Sequence, residues 1–297
     1  MARGPYAAIA AAIVAVSTAS ILIRWSESDA ITIAFYRLGF ATLIVLPFAV
    51  TDRTTPLRRL SRRDVLLMAG IGVVLAAHFA LWITSLKTAG VTVASSVVLV
   101  TSHPVMVALV SHFLLKERVS RMTAVGIALG FSGVVGIAVA DLGVSTTTVA
   151  GDLAALGGGV MAGIYFLAGR RLRQRVSLPV YAFVVYGSAA VALFALAAAT
   201  GKLAPAGDLR RELLLFGAMA IVPQIGGHTL YNWALRYVPA PLVSVSLVGE
   251  PIGSSILAWL LLTELPSALV AIGALLALSG IFLTAYSTAT TPSRTPA

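Results

Sequence analysis

Long apolar runs separated by short polar breaks dominate this chain, and the runs lack the polar face that a helix of a soluble domain turns to water. A helix needs about 20 mostly apolar residues to cross a bilayer. Ten stretches meet that need, at roughly 6–23, 30–50, 65–86, 90–115, 122–140, 148–168, 179–200, 212–235, 239–262 and 267–287. The pattern predicts an all-α membrane protein of ten transmembrane helices, with little chain left over for a soluble domain.

Two of the runs carry the same interruption. From Val91 to Ser120 the run is broken by His103-Pro104 and closes with Leu114-Leu115-Lys116-Glu117; from Pro239 to Ser267 it is broken by Glu250-Pro251 and closes with Leu261-Leu262-Thr263-Glu264. Thirteen positions separate the proline from the closing glutamate in both, which reads as one unit used twice. A weaker echo sets Ser85-Leu86-Lys87 beside Ala234-Leu235-Arg236, and His78 beside His228. Five spans precede the midpoint and five follow it. An odd number per half makes the second half enter the membrane from the opposite side, so the halves are expected to be inverted repeats. The expected units are 1–141 and 142–287, joined by a loop from Asp141 to Thr148, with a Thr/Pro-rich tail over 288–297 expected to be disordered.

Composition agrees with the pattern. Hydrophobic residues are 59% of 297 and charged ones 11%, against about a quarter charged in a soluble domain. A net charge of +10 would point to nucleic acid in a soluble protein. Here the cations fall in the breaks, where they set orientation instead. Fifteen of the 21 share a side: Arg3; Arg53, Arg58, Arg59, Arg62 and Arg63; Lys116, Arg118 and Arg121; Arg170, Arg171, Arg173 and Arg175; Arg236; and Arg294. Five lie opposite, at Arg24, Lys87, Lys202, Arg210 and Arg211, and Arg37 is within a span. This asymmetry places both termini in the cytoplasm, and no nucleic-acid partner is expected. The first run could be read as a cleaved signal peptide, but the charge count works only if it stays. With no cysteine, disulfides and thiolate metal sites are excluded.

Polar residues inside the runs are the candidates for chemistry. A charge at the bilayer centre costs about 2.5–3.5 kcal/mol on insertion scales, so Glu250 needs a reason; it could exchange a proton, meet a substrate ammonium, or be a neutral structural residue bonded to a neighbour. Pro104 and Pro251 each remove a backbone donor, which frees the carbonyls of Val100 and Leu247 and points to a cavity at mid-depth. Ser96 lies about two turns before His103, and Ser246, Glu250 and Ser254 follow at helical spacing. His78, Trp82 and Ser85 share a face, as do Gln224, His228, Tyr231 and Asn232, although a lone histidine in such a place is as readily a bonded structural residue. Tyr165, Tyr186 and Trp25 are candidate cavity walls, Trp25 equally an interfacial anchor. Arg37 could hold a substrate carboxylate or snorkel to pair with Glu27 or Asp29, and His112 reads as interfacial. The pairs Gly126/Gly130 and Gly159/Gly163 have the spacing that lets helices approach closely, and are read as internal packing.

These features resemble the EamA-like branch of the drug/metabolite transporter superfamily over nearly the whole chain, through the five-helix halves, the central prolines and the Leu-Leu-x-Glu closures. Arg37 in Phe35-Tyr36-Arg37-Leu38 stands where that family tends to carry an arginine, and Glu250-Pro251 fits its second-half pattern; His103 before Pro104 departs from a blander residue. The resemblance implies a ten-helix inverted-repeat fold with a cavity lined by helices 1, 3, 4, 6, 8 and 9, and helices 5 and 10 as scaffold. Among members the chain looks most like bacterial inner-membrane exporters of amino acids, including aromatic ones.

The expected function is export of a small metabolite by alternating access. The expected substrate contacts are Arg37, His78, Trp82, His103, Tyr165, Gln224, His228, Tyr231, Asn232 and Glu250, with Pro104 and Pro251 as helix breaks. Protons are a candidate coupling ion, and a monomer with no cofactor and no metal is expected. A multidrug or nucleoside exporter would use much the same groups. An intramembrane enzyme or a channel is the alternative of another class; no His-Glu-x-x-His motif is present, and Gly201-Lys202 lacks the spacing of a phosphate loop.

Overall fold

A computed structural model describes residues 4–105, 120–234, 237, 246 and 248–290. In chain order the helices are α1 (Gly4–Ser17), α2 (Ala19–Trp25), α3 (Ala30–Val50), α4 (Arg62–Lys87), α5 (Val93–Thr101), α6 (Arg121–Leu142), α7 (Thr146–Arg173), α8 (Leu178–Ala199), α9 (Leu209–Met219), α10 (Leu230–Ala234), α11 (Gly249–Leu262) and α12 (Ala268–Thr290). A π-helical stretch, Ala220–Thr229, joins α9 to α10. Among the described residues, eight helices are long and apolar enough to cross a membrane, and two shorter apolar ones, Val93–Val105 and Gly249–Leu262, accompany them. The closure Leu114-Leu115-Lys116-Glu117, with His112 and Arg118, lies outside the described residues, as do Arg3, Leu235, Arg236, Pro239, Leu247 and Arg294.

Hydroxyl and carboxylate caps start many of the helices. Ser61, Thr92, Ser120, Ser145 and Asp208 each accept from the backbone N–H three residues on, which satisfies a donor that lipid or a crowded loop could not. The short caps leave tight connections. Asp141 and Leu142 still belong to α6 and α7 begins at Thr146, so the predicted loop from Asp141 to Thr148 shrinks to three residues. Likewise α7 carries Arg170, Arg171 and Arg173 within the helix, not in a loop, and α12 holds residues 288–290, which the sequence assigned to a disordered tail; 291–297 lie outside the described residues.

The principal helix contacts join an element before Leu142 to one after Thr146. Helix α6 packs on α12, α4 on α7 and α8, α3 on α8, α5 on α7 and α11, and α1 on both α11 and Ala220–Thr229. The α6–α12 contact is a glycine seam. A Cβ added to Gly280 would strike the backbone of Gly126 and Gly130, and one added to Gly133 would strike the backbone of Gly273 and Ala277. With no hydrophobic driving force between helices in lipid, such close approach supplies the dispersion contact that holds them. Gly126 and Gly130 thus pack internally, as the sequence predicts. Gly159 does too, against the Val100 carbonyl of α5.

Polar contacts gather at the two ends of the bundle. At one end Glu212 accepts from Ser26 Oγ, Ser28 Oγ (2.6 Å) and the Glu27 N–H (2.9 Å), Lys87 donates to Ser26 O (2.6 Å), and Arg24 reaches both Glu264 (3.5 Å) and Val91 O. At the other, Arg175 pairs with Asp64 (2.6 Å) and the Ser177 N–H donates to Thr55 (3.1 Å).

The seam sets a test. Gly280→Ala should lower thermal stability in detergent by about 1–3 kcal/mol through overpacking. Gly217→Ala, whose Cβ meets nothing within 4 Å, should be neutral or gain up to about 1 kcal/mol of helix propensity. Equal melting curves for the two variants would contradict a packed seam.

Candidate functional site

Where the two interrupted runs meet, the helices stop. Helix α5 ends at Thr101, Ser102 forms a turn, and His103-Pro104-Val105 resume as helix; on the other side Val248 forms a turn before α11 begins at Gly249. Pro104 therefore stands just past a break. Pro251 sits in the first turn of α11, where its missing N–H leaves no intrahelical bond unmade. His103 Nδ1 lies 3.5 Å from the Val100 carbonyl that the proline would leave free.

A cavity of about 30 Å³ lies beside these breaks. Leu75, His78 and Trp82 of α4 form one wall, and Val100, Thr101 and His103 a second. Ala162, Tyr165 and Phe166 of α7 form a third, with His228 of the π stretch and Glu250 of α11 completing it. The volume is about that of one water molecule. Rings pack the walls: His78 stacks on Trp82 (6.1 Å between centroids), His103 on Phe166 (5.7 Å), and Phe79 meets His228 edge-on (5.6 Å). His78 Nδ1 is 2.9 Å from the Gly158 carbonyl, which fixes that ring nitrogen as the donor. Trp82 Nε1 is buried with no hydrogen-bond partner.

Arg37 lies behind this wall, fully buried. Its Nε donates to Gln224 Oε1 (3.0 Å) and its guanidinium covers the Phe79 ring at 4.2 Å, but Nη1 and Nη2 have no hydrogen-bond partner among the described residues. The reading that pairs Arg37 with Glu27 or Asp29 is therefore overturned: those carboxylates take Arg211 and Lys202, both at 2.9 Å and near the bundle end. Arg37 and Glu250 act on each other electrostatically but make no ion pair.

Of the residues expected to contact substrate, His78, Trp82, His103, Tyr165, His228 and Glu250 line the cavity. Gln224 holds Arg37, and Asn232 donates to Tyr165 Oη (3.1 Å) and to His228 O (2.9 Å), so these two brace the wall from behind. Tyr231 is not in the cavity wall but packs with Ile9, Ala12 and Val16 of α1, beside Glu250. The predicted shared face of Gln224, His228, Tyr231 and Asn232 assumed a regular α-helix, and the π stretch changes that register. Trp25 is exposed at a helix end and lines nothing, while Tyr186 is buried on Thr229 (2.9 Å). The stripes also divide: Ser96 bonds Ser85 (2.9 Å), and Ser254 donates to Ser17 O of α1 (3.2 Å).

The sequence reading missed Phe79, Thr101 and Phe166, and it missed the π stretch. Pro223 with Gly226-Gly227 in the middle of a span was the available signal for the last, since both residue types disturb an α-helix. Among the described residues no three His, Asp or Glu side chains converge closely enough to hold a metal ion.

Apolar helices closed around a small cavity beside two helix breaks define a multi-pass membrane protein with an internal cavity. The model of the EamA-like transporter family matches the chain twice, over residues 4–139 and 149–286, and the chain belongs to that family. One solved crystal structure shares the fold, with a TM-score of 0.62 over 97% of this chain and 98% of its own at 21% identity. No curated protein matches.

The Arg37–Gln224 bond predicts that Gln224→Leu, which strands a buried guanidinium, lowers stability by about 1.5–3 kcal/mol. Arg37→Met, which removes the charge and keeps the bulk, should be no less stable than the parent. Thermal unfolding of the purified variants in detergent checks both, and a destabilised Arg37→Met would mean that the guanidinium itself holds the helices together.

Proposed function

We propose that the protein exports small metabolites, amino acids including aromatic ones, from the cytoplasm across a bacterial-type inner membrane by alternating access. In this reading ten helices form two inverted five-helix repeats, the chain works as a monomer, and both termini are cytoplasmic. The exchange symmetry of the helix contacts supports the repeat: the pairing of α4 with α7 is matched by that of Ala220–Thr229 with α1, and α3–α8, α5–α11 and α6–α12 are each their own counterparts.

The observation that carries the substrate class is the division of charge about the cavity. Glu250 is in its wall, and Arg37, with two terminal nitrogens lacking partners, is fully buried behind it. A zwitterion satisfies both, its ammonium toward Glu250 and its carboxylate toward Arg37, and the ring-lined wall of Trp82, Phe166 and Tyr165 suits an apolar or aromatic side chain. A cavity of about 30 Å³ is far below the several hundred Å³ of a small-molecule pocket and must widen to admit an amino acid. Residues His78, His103 and His228 contact the substrate directly in this reading; Gln224 and Asn232 position Arg37 and Tyr165. Exporting a cationic aromatic compound is a second reading, favoured by Glu250 as the one acid in a wall of rings.

Proteoliposomes loaded with labelled amino acids, nucleosides or cationic dyes separate these. The zwitterion reading expects saturable exchange of aromatic amino acids, reduced at least tenfold by Glu250→Gln and by Arg37→Met and weakened by His103→Ala. Exchange of dyes alone, with Arg37→Met fully active, selects the cation reading, and flux without saturation or counterflow selects a channel.

A further inference from the structure

A pair of acids lies at the end of the bundle that carries Arg24 and Lys87, away from the cavity. Asp141, in the last turn of α6, and Asp152, in the second turn of α7, are 2% and 1% exposed. The two side chains face each other across the short α6–α7 turn. No N–H or O–H of the described residues reaches either Asp152 oxygen. One turn deeper, the same faces of three helices present Val98 and Leu99, Ile137, and Ala155, a dry apolar cluster.

Among the described residues no cation faces the pair. From α4, Lys87 donates to Ser26 O; from α2, Arg24 is held by Val91 O and Glu264; α12 carries no charged residue, and α5 none in its described span. Two ionised carboxylates side by side over an apolar cluster, with no donor on either Asp152 oxygen among the described residues, repel each other strongly, and a proton on one of them removes that repulsion. A metal ion would need several more oxygens than Ser95 supplies. A route to the pair is in place. Ser95 Oγ donates to Asp141 Oδ2 (3.0 Å), leaving its own oxygen to accept from Thr92 Oγ1 (2.9 Å), and Thr92 is half-buried at the helix end.

We propose that Asp141 and Asp152, reached through Thr92 and Ser95, form a proton-binding site separate from the central cavity, and that the proton exchanged there drives transport. The pair passes between one shared proton, with net charge −1, and two, with net charge zero; one proton enters and one leaves per cycle. Helix α5 links it to the cavity. Ser95 touches the pair near the N-terminal end of α5, and Val100 and Thr101 line the cavity about 8 Å further along. The site itself stands on the geometry alone; the coupling rests on the transport function proposed above.

Infrared spectroscopy of the reconstituted protein tests the site without any substrate. The wild type should show the carbonyl band of a buried protonated carboxylic acid that changes with pH and shifts in heavy water. Asp141→Asn/Asp152→Asn should lose that component while Glu250→Gln keeps it. Retention in the double variant would overturn the proposal. For coupling, proteoliposomes under an imposed pH gradient are assayed with labelled phenylalanine. Asp152→Asn should lower gradient-driven accumulation at least tenfold relative to counterflow exchange, and Ser95→Ala, which keeps both acids, should slow it. A gradient response unchanged in Asp152→Asn, or one that follows sodium instead of pH, would overturn the coupling. If the wild type does not move phenylalanine, the amino-acid reading fails while the infrared result still decides the proton site.

Discussion

Hydrocarbon offers no hydrogen-bond partner, and that constraint governs every polar atom inside this bundle. Hydroxyls on the helices meet it by bonding back to carbonyls or across to neighbours, as Thr101 does to Val97 and Ser85 does to Ser96. Helix interruptions meet it less completely. At Ser102, at Val248 and through Ala220–Thr229 the backbone departs from the α pattern, and the residues at those departures, His103, Glu250 and His228, all face one cavity. Irregular backbone at membrane depth is tolerated where it is enclosed by protein or lines a wet space, which makes the interruptions and the cavity a single feature.

Buried polar groups are satisfied unevenly. At the Arg24 end Glu212 has three donors and Arg24 pairs with Glu264, whereas Arg24 Nε and both Asp152 oxygens have no partner among the described residues. The exposed pairs there, Arg211–Glu27 and Lys202–Asp29, add little, because water competes for both members. At the centre, among the described residues, Arg37 keeps two unpartnered nitrogens and Trp82 one. A buried donor without an acceptor costs about 1–3 kcal/mol. A fold that retains several of them near one cavity gives up stability that an acceptor-bearing ligand would restore.

Much of this was legible in the sequence, and the legible part followed from composition. Apolar runs of fixed minimum length give the spans, and matched His103-Pro104 and Glu250-Pro251 give the place where helices break. What the sequence hid depends on register. Tyr231 was placed in the cavity wall on regular α spacing, whereas after ten residues of π-helix it packs against α1 beside Glu250. Arg37 offered two partners close in sequence, Glu27 and Asp29, yet its acceptor is Gln224, a contact that only packing of the π stretch on α3 creates. The Asp141–Asp152 contact was hidden for a related reason. Asp141 sat at the edge of a predicted loop and Asp152 inside the span after it, and only the three-residue turn between α6 and α7 brings them together.

That turn also bears on how an end of the bundle could be coupled to its centre. Helices α6 and α7 are consecutive but pack mainly on other partners, α6 on α12 and α7 on α4 and α5. They belong to different matched halves of the chain, so any relative movement of the halves is felt at the short connection, where α5 also touches through Ser95. Adding a proton to the acid pair removes a net charge from a dry contact among three helices, two from one half and one from the other. Few other points in the described structure combine a change of charge with a junction between halves. The cavity end of α5 carries Val100 and Thr101 and leads into His103, so a small tilt of this nine-residue helix alters the cavity wall without breaking a helical hydrogen bond. The interruption at Ser102 is what lets that short helix move apart from the residues beyond it, and this gives the break a mechanical role beside its chemical one.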